Sequence, residues 1–429
     1  MIENIVQYFK QEEEKEREKE EELDGLWSKL PFHLLSLNEV ELDGSCSEFS
    51  LDLLCEKKKE ELLDRSWSEL PFHLLCQFSA RLILRDLSTF RAICKSWRLS
   101  SPMSPLRPLL DPPYSHSPCL MQLGIPKCTF FHPMHDNGSY QMDIPELQDA
   151  FIRYSKYGWL LLSKMDGSAF FFHPFDRIKI ELPSYPCKEQ FISMSFSFPP
   201  TSTNCFVIAI ISNGSKFGII RRGEVAWTLC EFTERFQPLG NGNPLLYKDR
   251  CYWLGLREDG LPAEVGVFDP HEYLTHPYRY KCRWKYLPYF TPPEHLEKSC
   301  NSYLLESDGK LFAVFELNDI EPSIQIYSLN LSSIGTRMKW QKVTNIGNKM
   351  LYVSSYGSFS ELAVAKGMSN KIYVPNVLDN NNIFYSLQTK KYHSCFSDYS
   401  SKSISLGREL TGCTWIKPNY IDLDKGFKW

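Results

Sequence analysis

The stretch YGWLLLSKMDGSAFFF, Tyr157–Phe172, carries the pattern that decides the fold. Two runs of aromatic and aliphatic residues flank Asp166–Gly167, and Asp-Gly between such runs is typical of a tight β-hairpin turn. The same arrangement recurs at Phe206–Ile220 around an Asn-Gly pair and at Ser302–Phe315 around an Asp-Gly pair. The sequence around these hairpins therefore predicts a domain built from antiparallel strands.

A weak repeat runs through the same region. Thr129–Pro133 (TFFHP) returns as Phe170–Pro174 (FFFHP), 41 residues later, and Val267–Pro270 (VFDP) is a degenerate third copy. After each copy comes an apolar residue followed by proline: Ile144–Pro145, Leu182–Pro183 and Leu287–Pro288. A repeat of this length indicates one structural unit copied several times.

Six clusters of short strands can be marked, near 117–147, 154–186, 204–238, 243–290, 301–346 and 350–396. A unit of about 40–50 residues with about four strands favours a β-propeller, in which radial repetition protects the sheet edges. A pair of sandwiches or a distorted barrel would show similar strands, so these alternatives stay open. The sequence also leaves the number of blades undecided.

Composition excludes several classes of function. The chain has 429 residues, a formal charge of −4 and a pI near 6.2, so it lacks the positive charge that neutralises a phosphate backbone. Its apolar runs are far shorter than the ~20 residues of a membrane-spanning helix, and Glu3 stands where a secretory signal needs positive charge. We expect no nucleic-acid partner, no membrane span and a location in the cytoplasm or nucleus.

Signatures of catalysis and metal binding are absent from the sequence. None of the 14 cysteines forms a C-x-x-C pair, and no H-E-x-x-H, G-x-S-x-G or P-loop occurs. His132 and His135 could pair on a metal, but His132 recurs as His173 in the same Phe-His-Pro frame, which favours a structural role at a strand end. Cys94 lies on an apolar helical stripe, so we expect a packed thiol. We expect no metal, no cofactor and no catalytic residue.

Before the β region, the chain changes character twice. Residues 1–65 combine an acidic arm with a truncated duplicate, because LWSKLPFHLL at 26–35 returns as SWSELPFHLL at 66–75 while its downstream half does not. We expect this segment to be disordered or helical. Residues 101–118 are rich in proline and predict a linker, which leaves 119–420 as the β-domain.

The sequence of residues 66–100 predicts a small helical module. It carries more large apolar side chains than a module of this size can bury. Leu87, Phe90, Cys94 and Trp97 follow one another at helical spacing, and Pro71 suits the first turn of an earlier helix. About 35 residues cannot bury such a set internally, so part of the set must cover another surface. That surface is either the β-domain of this chain or a second protein.

The segment LPFHLLCQFSARLILRDLSTFRAICKSWRLS, residues 70–100, resembles the F-box. The pattern consists of a Leu-Pro start, a Leu-Leu pair, an Asp-Leu, an aromatic-Arg and a Cys-Lys-x-Trp ending. The resemblance implies a three-helix F-box that binds the S-phase-kinase-associated (Skp) adaptor. The residues expected to supply its apolar side chains, some to its own core and some to the adaptor, are Leu70, Pro71, Leu74, Leu75, Leu82, Leu87, Phe90, Ile93 and Trp97.

The whole arrangement is similar to a large family of plant F-box proteins that carry a C-terminal, kelch-like β-propeller. The fold expected is therefore α+β and multidomain, a small helical F-box followed by an all-β propeller. The resemblance implies a non-catalytic substrate receptor of an SCF-type cullin-RING ubiquitin ligase, whose propeller recruits an unknown protein target. The alternatives are a scaffold or ligand-binding propeller with a vestigial F-box and, third, a hydrolytic propeller.

Overall fold

The structure is a computed structural model, and its contacts divide the chain into two compact units, Met1–Ser115 and His116–Trp429. The described residues are 75, 95–100, 117–124, 127–133, 139–186, 191–211, 215–232, 237–238, 242–256, 264–270, 281–282, 285–287, 299–317, 322–331, 340–363, 367–378, 381–395, 412–418 and 429. In the first unit, Leu75 is helical and Lys95–Ser100 forms a short helix, α1. The rest of the predicted three-helix F-box lies outside the described residues.

The second unit begins with two consecutive antiparallel sheets. The first contains Cys119–Gln122 (β1), Lys127–Phe131 (β2) and Ser139–Asp143 (β3). A 3-10 turn at Pro145–Leu147 leads into the second sheet, made of Ala150–Lys156 (β4), Trp159–Lys164 (β5), Ala169–His173 (β6) and Ile178–Glu181 (β7). Both sheets are meanders in which each strand pairs with the next one along the chain.

The third and fourth sheets are also built mainly from consecutive antiparallel strands. One strand from the chain region of the fourth sheet joins the third. The third contains Phe191–Phe196 (β8), Phe206–Ile211 (β9), Lys216–Arg221 (β10) and Thr228–Phe232 (β11). The fourth contains Gln237–Pro238 (β12), Leu245–Tyr247 (β13), Arg250–Leu256 (β14) and Glu264–Phe268 (β15). Lys281–Cys282 (β16) then pairs in parallel with β11 of the third sheet, and Lys285–Tyr286 (β17) returns to β15.

The last two sheets lie between residues 299 and 394. The fifth contains Ser299–Ser307 (β18), Lys310–Leu317 (β19), Ser323–Asn330 (β20) and Gln341–Val343 (β21). The sixth contains Lys349–Tyr352 (β22), Phe359–Leu362 (β23), Lys371–Leu378 (β24), Asn381–Ser386 (β25) and Lys391–Ser394 (β26). It departs from a simple meander because its strand order is β23-β22-β24-β25-β26, with β22 and β24 parallel.

The ring is closed by the strand Cys413–Ile416 (β27), which pairs antiparallel with β1. The first sheet therefore takes three strands from the start of the unit and one from its end, so it has the order β27-β1-β2-β3. The six sheets are the blades of a six-bladed β-propeller, and each of the six predicted strand clusters covers most strands of one blade. The clusters miss β8, and they assign β12 and β16 to the neighbouring blade. The alternatives of a sandwich pair or a distorted barrel were wrong.

Neighbouring blades meet chiefly through one edge strand of each sheet, namely β27, β4, β8, β13, β18 and β23. These are the inner strands, which surround the propeller axis. Strands in the middle of a blade are covered on both faces by the adjacent blades. Leu161 packs toward the third blade, whereas Leu160 and Leu162 pack toward the first, which explains why the run WLLL in β5 is apolar without alternation.

The sequence repeats fall at equivalent places in the blades. The copies that contain His132, His173 and Asp269 each cover the end of the third strand in the sheet order, β2, β6 and β15. The apolar residues of the apolar-Pro pairs follow the fourth strands, β3, β7 and β17. The repeat is therefore a blade repeat. None of the described helices is long and apolar enough to cross a membrane.

Candidate functional site

Two of the nine residues predicted to form the adaptor-binding face are described by the structure. Leu75 is 1% exposed, and Trp97, within α1, is 4% exposed. The other seven lie outside the described residues: Leu70, Pro71, Leu74, Leu82, Leu87, Phe90 and Ile93. Leu75 and Trp97 are buried without any partner protein, which fits a role in internal packing. The assignment of the nine residues to adaptor binding stays a prediction.

The propeller offers a second candidate region around its axis, where the inner strands or the residues next to them carry small polar side chains. The buried examples are Ser155, Ser193, Ser195, Ser302, Ser354 and Thr414. Buried hydroxyls are costly unless they find hydrogen-bond partners, so the path of these bonds shows how the axis is organised. The Ser155 hydroxyl donates to the Trp415 carbonyl, and the Ser354 and Thr414 hydroxyls are 3.3 Å apart, so both contacts join residues far apart in the sequence. The hydroxyls of Ser193 and Ser195 have no hydrogen-bond partner among the described residues.

Two chain segments close part of the axis, and we call them the axial plug: residues 242–244 of the fourth blade and 353–357 of the sixth. The Asn243 side-chain amide donates to the carbonyl of Arg153 at 2.6 Å and to that of Ser355 at 2.9 Å. One asparagine therefore joins the second, fourth and sixth blades. Because the second, fourth and sixth blades are evenly spaced around a six-bladed ring, a side chain that contacts all three lies near the axis.

Backbone atoms strengthen the axial plug at the same level. The Ser155 amide donates to the Tyr356 carbonyl at 2.6 Å, and the Ser155 hydroxyl donates to the Trp415 carbonyl at 2.8 Å. Gly357 has a φ of 140°, and a Cβ atom placed on it would lie 2.4 Å from the Ser155 carbonyl oxygen. Only glycine fits this position without a shift of the backbone.

Lys156, the last residue of β4, lies just beyond the axial plug. Its Nζ donates to the Leu246 carbonyl at 3.2 Å and lies 4.9 Å from the centre of the Tyr157 ring. Burial lowers the pKa of the Lys156 ammonium to about 8, although the negative charge of Glu306 acts in the opposite direction. The Tyr157 side chain that lies against this group is 39% exposed.

The residues around Lys156 form what we call the axial rim, a chain of polar contacts near one end of the axis. The Lys417 ammonium lies 2.7 Å from the Glu361 carboxylate, and Lys349 pairs with Asp308. The hydroxyls of Ser307 and Ser360 are 2.8 Å apart and continue this chain from the fifth blade to the sixth. Among the described residues of the rim, these two lysines have carboxylate partners and Lys156 has none within 4.0 Å.

A buried carboxylate lies between the fifth and sixth blades. Glu316, in β19, is 3% exposed and accepts hydrogen bonds from Asn301 at 2.8 Å and from the hydroxyls of Tyr303 and Tyr392 at 3.3 Å. Burial raises the pKa of Glu316, although the three hydrogen bonds act in the opposite direction. The group joins two blades through Tyr392 of β26, and in sequence it directly follows the predicted hairpin Ser302–Phe315.

The surroundings of the histidines in the Phe-His-Pro frame indicate a structural role. His173 is fully buried, its Nδ1 lies 2.9 Å from the Asp176 carboxylate, and its ring packs edge-on against Trp159. His132 is also buried, directly after β2, whereas His135 lies outside the described residues. The described part of the chain holds no group of three His, Cys, Asp or Glu side chains that could bind a metal.

The described thiols have the properties of packed side chains. Seven free cysteines are buried: Cys119, Cys128, Cys205, Cys230, Cys251, Cys395 and Cys413. Burial raises the pKa of Cys205 to about 12 and that of Cys230 to about 11, so both are protonated at neutral pH. A thiol in this state is a poor nucleophile. Cys94 lies outside the described residues.

Sequence reasoning missed the residues of the axial plug and the axial rim. Asn243 stands in a Gly-Asn-Pro turn and Lys156 stands before a Tyr-Gly turn, and both patterns are usual for solvent-exposed residues. Only the closing of the ring brings them to the axis. The sequence signal that could have found them is indirect: the Ser-Ser-Tyr-Gly run at 354–357 interrupts the strand pattern of the sixth blade.

Comparison with known proteins agrees with this fold. The family model described as "KIB1-4 beta-propeller" matches residues 130–397, which is more than half of the chain. The chain is similar to the F-box/kelch-repeat protein At1g57790 of Arabidopsis thaliana, with 27% identity over 79% of this chain and 90% of that protein. It is also similar to the F-box protein At4g00893 of the same plant, with 27% identity over 65% of this chain and 68% of that protein.

Among solved structures, the chain is similar to a functionally unknown protein from Desulfotomaculum acetoxidans. The alignment covers 71% of this chain and 100% of that one, with 8% identity and a TM-score of 0.37.

Proposed function

Because this chain belongs to the KIB1-4 β-propeller family, whose match spans most of its propeller, we propose that it is the substrate receptor of an SCF-type ubiquitin ligase. In this proposal residues 66–100 are an F-box that binds the Skp adaptor. The propeller within 119–420 binds a protein target, and the complex works in the cytoplasm or nucleus. The chain itself supplies no catalytic group.

One observation carries the proposal: an F-box pattern stands directly before a propeller of this family. The pattern runs from Leu70–Pro71 to Trp97, and its Cys-Lys-x-Trp ending at 94–97 is its most specific part. The similar plant proteins carry the words "F-box" in their names, and one of them matches over most of its length. The apolar surplus that the sequence of residues 66–100 predicts supports the same role, since an adaptor would cover the part of it that the module cannot bury.

The mechanism that follows is catalysis by proximity. A receptor that holds a target beside an activated thioester on another protein raises the effective concentration of the target amine. The receptor needs a rigid body and two binding surfaces. The propeller fits this need, because hydrogen bonds across its axis join four of its blades, the first, second, fourth and sixth.

Co-purification of the full chain with the adaptor tests the proposal. A double variant, Leu70→Ala with Pro71→Ala, is expected to lose most of the adaptor, because both residues stand at the start of the F-box pattern. The chain provides a matched control in Leu30→Ala with Pro31→Ala, the same dipeptide in the truncated duplicate. This control is expected to bind normally.

Two results would contradict the proposal. The first is the absence of adaptor from the purified wild-type chain, which would favour a scaffold or ligand-binding propeller with a vestigial F-box. The second is an equal loss of adaptor in both double variants. Thermal unfolding of each variant shows whether the propeller stays folded, since the substitutions lie outside it.

A further inference from the structure

We propose that Lys156 at the axial rim binds a carboxylate from an acidic segment of the protein target. This inference rests on the proposed receptor function and names a place on the propeller where the target is recognised. The observations that carry it are the hydrogen bonding of Lys156, the closure of the axis beside it and the charges around it.

The first observation is an ammonium group with an incomplete set of partners. An ammonium has three donors, and among the described residues that of Lys156 donates to one oxygen, the Leu246 carbonyl at 3.2 Å. The neighbouring rim lysines, Lys349 and Lys417, each contact a carboxylate. A cation removed from water is costly unless an anion compensates it. No carboxylate in the described part of the chain contacts Lys156 in the way that Asp308 and Glu361 contact Lys349 and Lys417.

The carboxylate whose charge acts on Lys156, that of Glu306, is hydrogen-bonded elsewhere. Glu306 influences Lys156 through its charge, but its Oε1 accepts the Gly309 amide at 2.8 Å in the turn after β18. That turn contains Asp308 with a φ of 51°, a conformation that the Asp-Gly sequence supports. Glu306 is therefore held at the turn and does not pair with Lys156. Among the described residues no carboxylate pairs with Lys156, and in this proposal the protein target supplies the anion.

The axial plug decides the direction from which a ligand arrives. Asn243 and Ser155 close the axis on one side of Lys156 through contacts of 2.6–2.9 Å. On another side Nζ faces the ring of Tyr157, whose centre lies 4.9 Å away and whose side chain is 39% exposed. An acidic side chain of an extended peptide can reach the ammonium from that side, and the ring provides an apolar contact for the peptide.

The charges of the rim favour a carboxylate over a phosphate. Glu306, Asp308 and Glu361 already place three carboxylates near this end of the axis. A phosphate dianion would add twice the charge of a carboxylate to this region and would be repelled more strongly. A single negative charge matches the single uncompensated ammonium.

Binding of an anion is expected to depend on pH with a definite sign. Glu306, Cys205 and Tyr157 face Lys156 from β18, from the residue before β9 and from the turn after β4. Because the pKa of free Lys156 lies at about 8, the ammonium is present below this pH and is lost above it. An anion binds the charged form, so affinity should be constant below pH 8 and fall about tenfold per pH unit above it.

The test uses the full chain and a fluorescein-labelled peptide of eight glutamates, with binding followed by fluorescence anisotropy. Lys156→Met removes the charge while keeping the length of the side chain, and it is expected to weaken binding about ten- to a hundredfold. Lys342→Met is the matched control, because Lys342 is an exposed lysine on the outermost strand β21, and it should bind as wild type does. Lys156→Arg keeps the charge and should retain most of the affinity.

Four results would overturn the inference. One is the absence of octaglutamate binding by the wild-type chain at millimolar peptide. Another is equal affinity of wild type and Lys156→Met, and the third is tighter binding of a peptide of eight phosphoserines, which would assign the rim to phosphate. A wild-type affinity that does not fall above pH 8 would also contradict it, without relying on the fold of any variant.

Adaptor binding by the same proteins separates this inference from the proposed function. Lys156→Met should still co-purify with the adaptor, because Lys156 lies in the propeller. Binding of octaglutamate without any adaptor would leave the rim site standing and remove the receptor function. A chain that binds the adaptor but not octaglutamate would keep the proposed receptor function and remove the rim site.

Discussion

Single residues at the axis determine how closely the blades approach one another. Gly357→Ala would force a methyl group toward the Ser155 carbonyl and would also hold alanine at a φ of 140°. We expect the free energy of unfolding to fall by about 3 kcal/mol, as strain and a clash combine. Chemical denaturation of the full chain measures this loss.

Gly367→Ala is the control for that experiment. Gly367 also has a positive φ, 85°, but nothing lies within 4 Å of an added Cβ atom. Its substitution isolates the conformational cost, which should be about 1 kcal/mol. Equal losses in the two variants would show that the contact with Ser155 is unimportant.

The buried carboxylate of Glu316 predicts a pH effect on stability. Since burial raises its pKa in the folded chain, its contribution to stability is fully present below its unfolded pKa, near 4.5, and is lost as the pH rises through the folded value. Glu316→Gln removes the charge and keeps an oxygen that can accept from Asn301. We expect the variant to be more stable than wild type by about 1–2 kcal/mol at pH 7.5.

Thermal unfolding at several pH values measures this difference, which should shrink as the pH is lowered toward 4. Glu231→Gln, at an exposed position of β11, should change stability by no more than about 0.5 kcal/mol at any pH. A destabilised Glu316→Gln at pH 7.5 would mean that the hydrogen bonds to the ionised group outweigh its burial.

At the scale of elements, β27 is the strand on which the ring depends. It pairs with β1 across about 300 residues of sequence, and its Trp415 is fully buried beside Tyr352 of the sixth blade. Truncation of the chain after residue 411 removes the strand and exposes the edge of β1. We expect loss of the cooperative unfolding transition and rapid proteolysis of the propeller.

A truncation after Pro418 is the control, because it keeps β27 and removes only the residues that follow. Among those, Trp429 stacks on Phe171 at 5.7 Å, so a small decrease in melting temperature is expected. Limited proteolysis followed by mass spectrometry distinguishes the two truncations. Similar resistance in both would show that β27 is not needed to close the ring.

Local sequence predicted some elements and not others, for physical reasons. The hairpin β5–β6 was predicted because Asp166–Gly167 determines both its turn and its register within 16 residues. The pairing of β27 with β1 has no local signal, since a strand edge accepts any partner that the fold brings to it. The order of strands in the sixth blade was missed for the same reason. In the sheet β22 pairs with β24, although β23 separates the two strands in the sequence.

At the scale of the whole molecule, the repeat predicted the propeller because each blade must bury the same faces. The Phe-His-Pro copies mark the third strands, so their spacing gave the size of a blade. The two candidate sites differ in how far they could be predicted from the sequence. The adaptor-binding residues came from a contiguous pattern, whereas Lys156 and Asn243 meet only when six blades close around an axis.

The central claim is that this chain connects an adaptor to a target, with its propeller as the body that holds the target. The measurement that tests it most directly is a calorimetric titration of the purified full chain with the purified Skp adaptor. We predict a saturable one-to-one complex with a Kd below about 1 μM, and a much weaker one for Leu70→Ala with Pro71→Ala. The absence of any binding heat with the adaptor at tens of micromolar would contradict the claim.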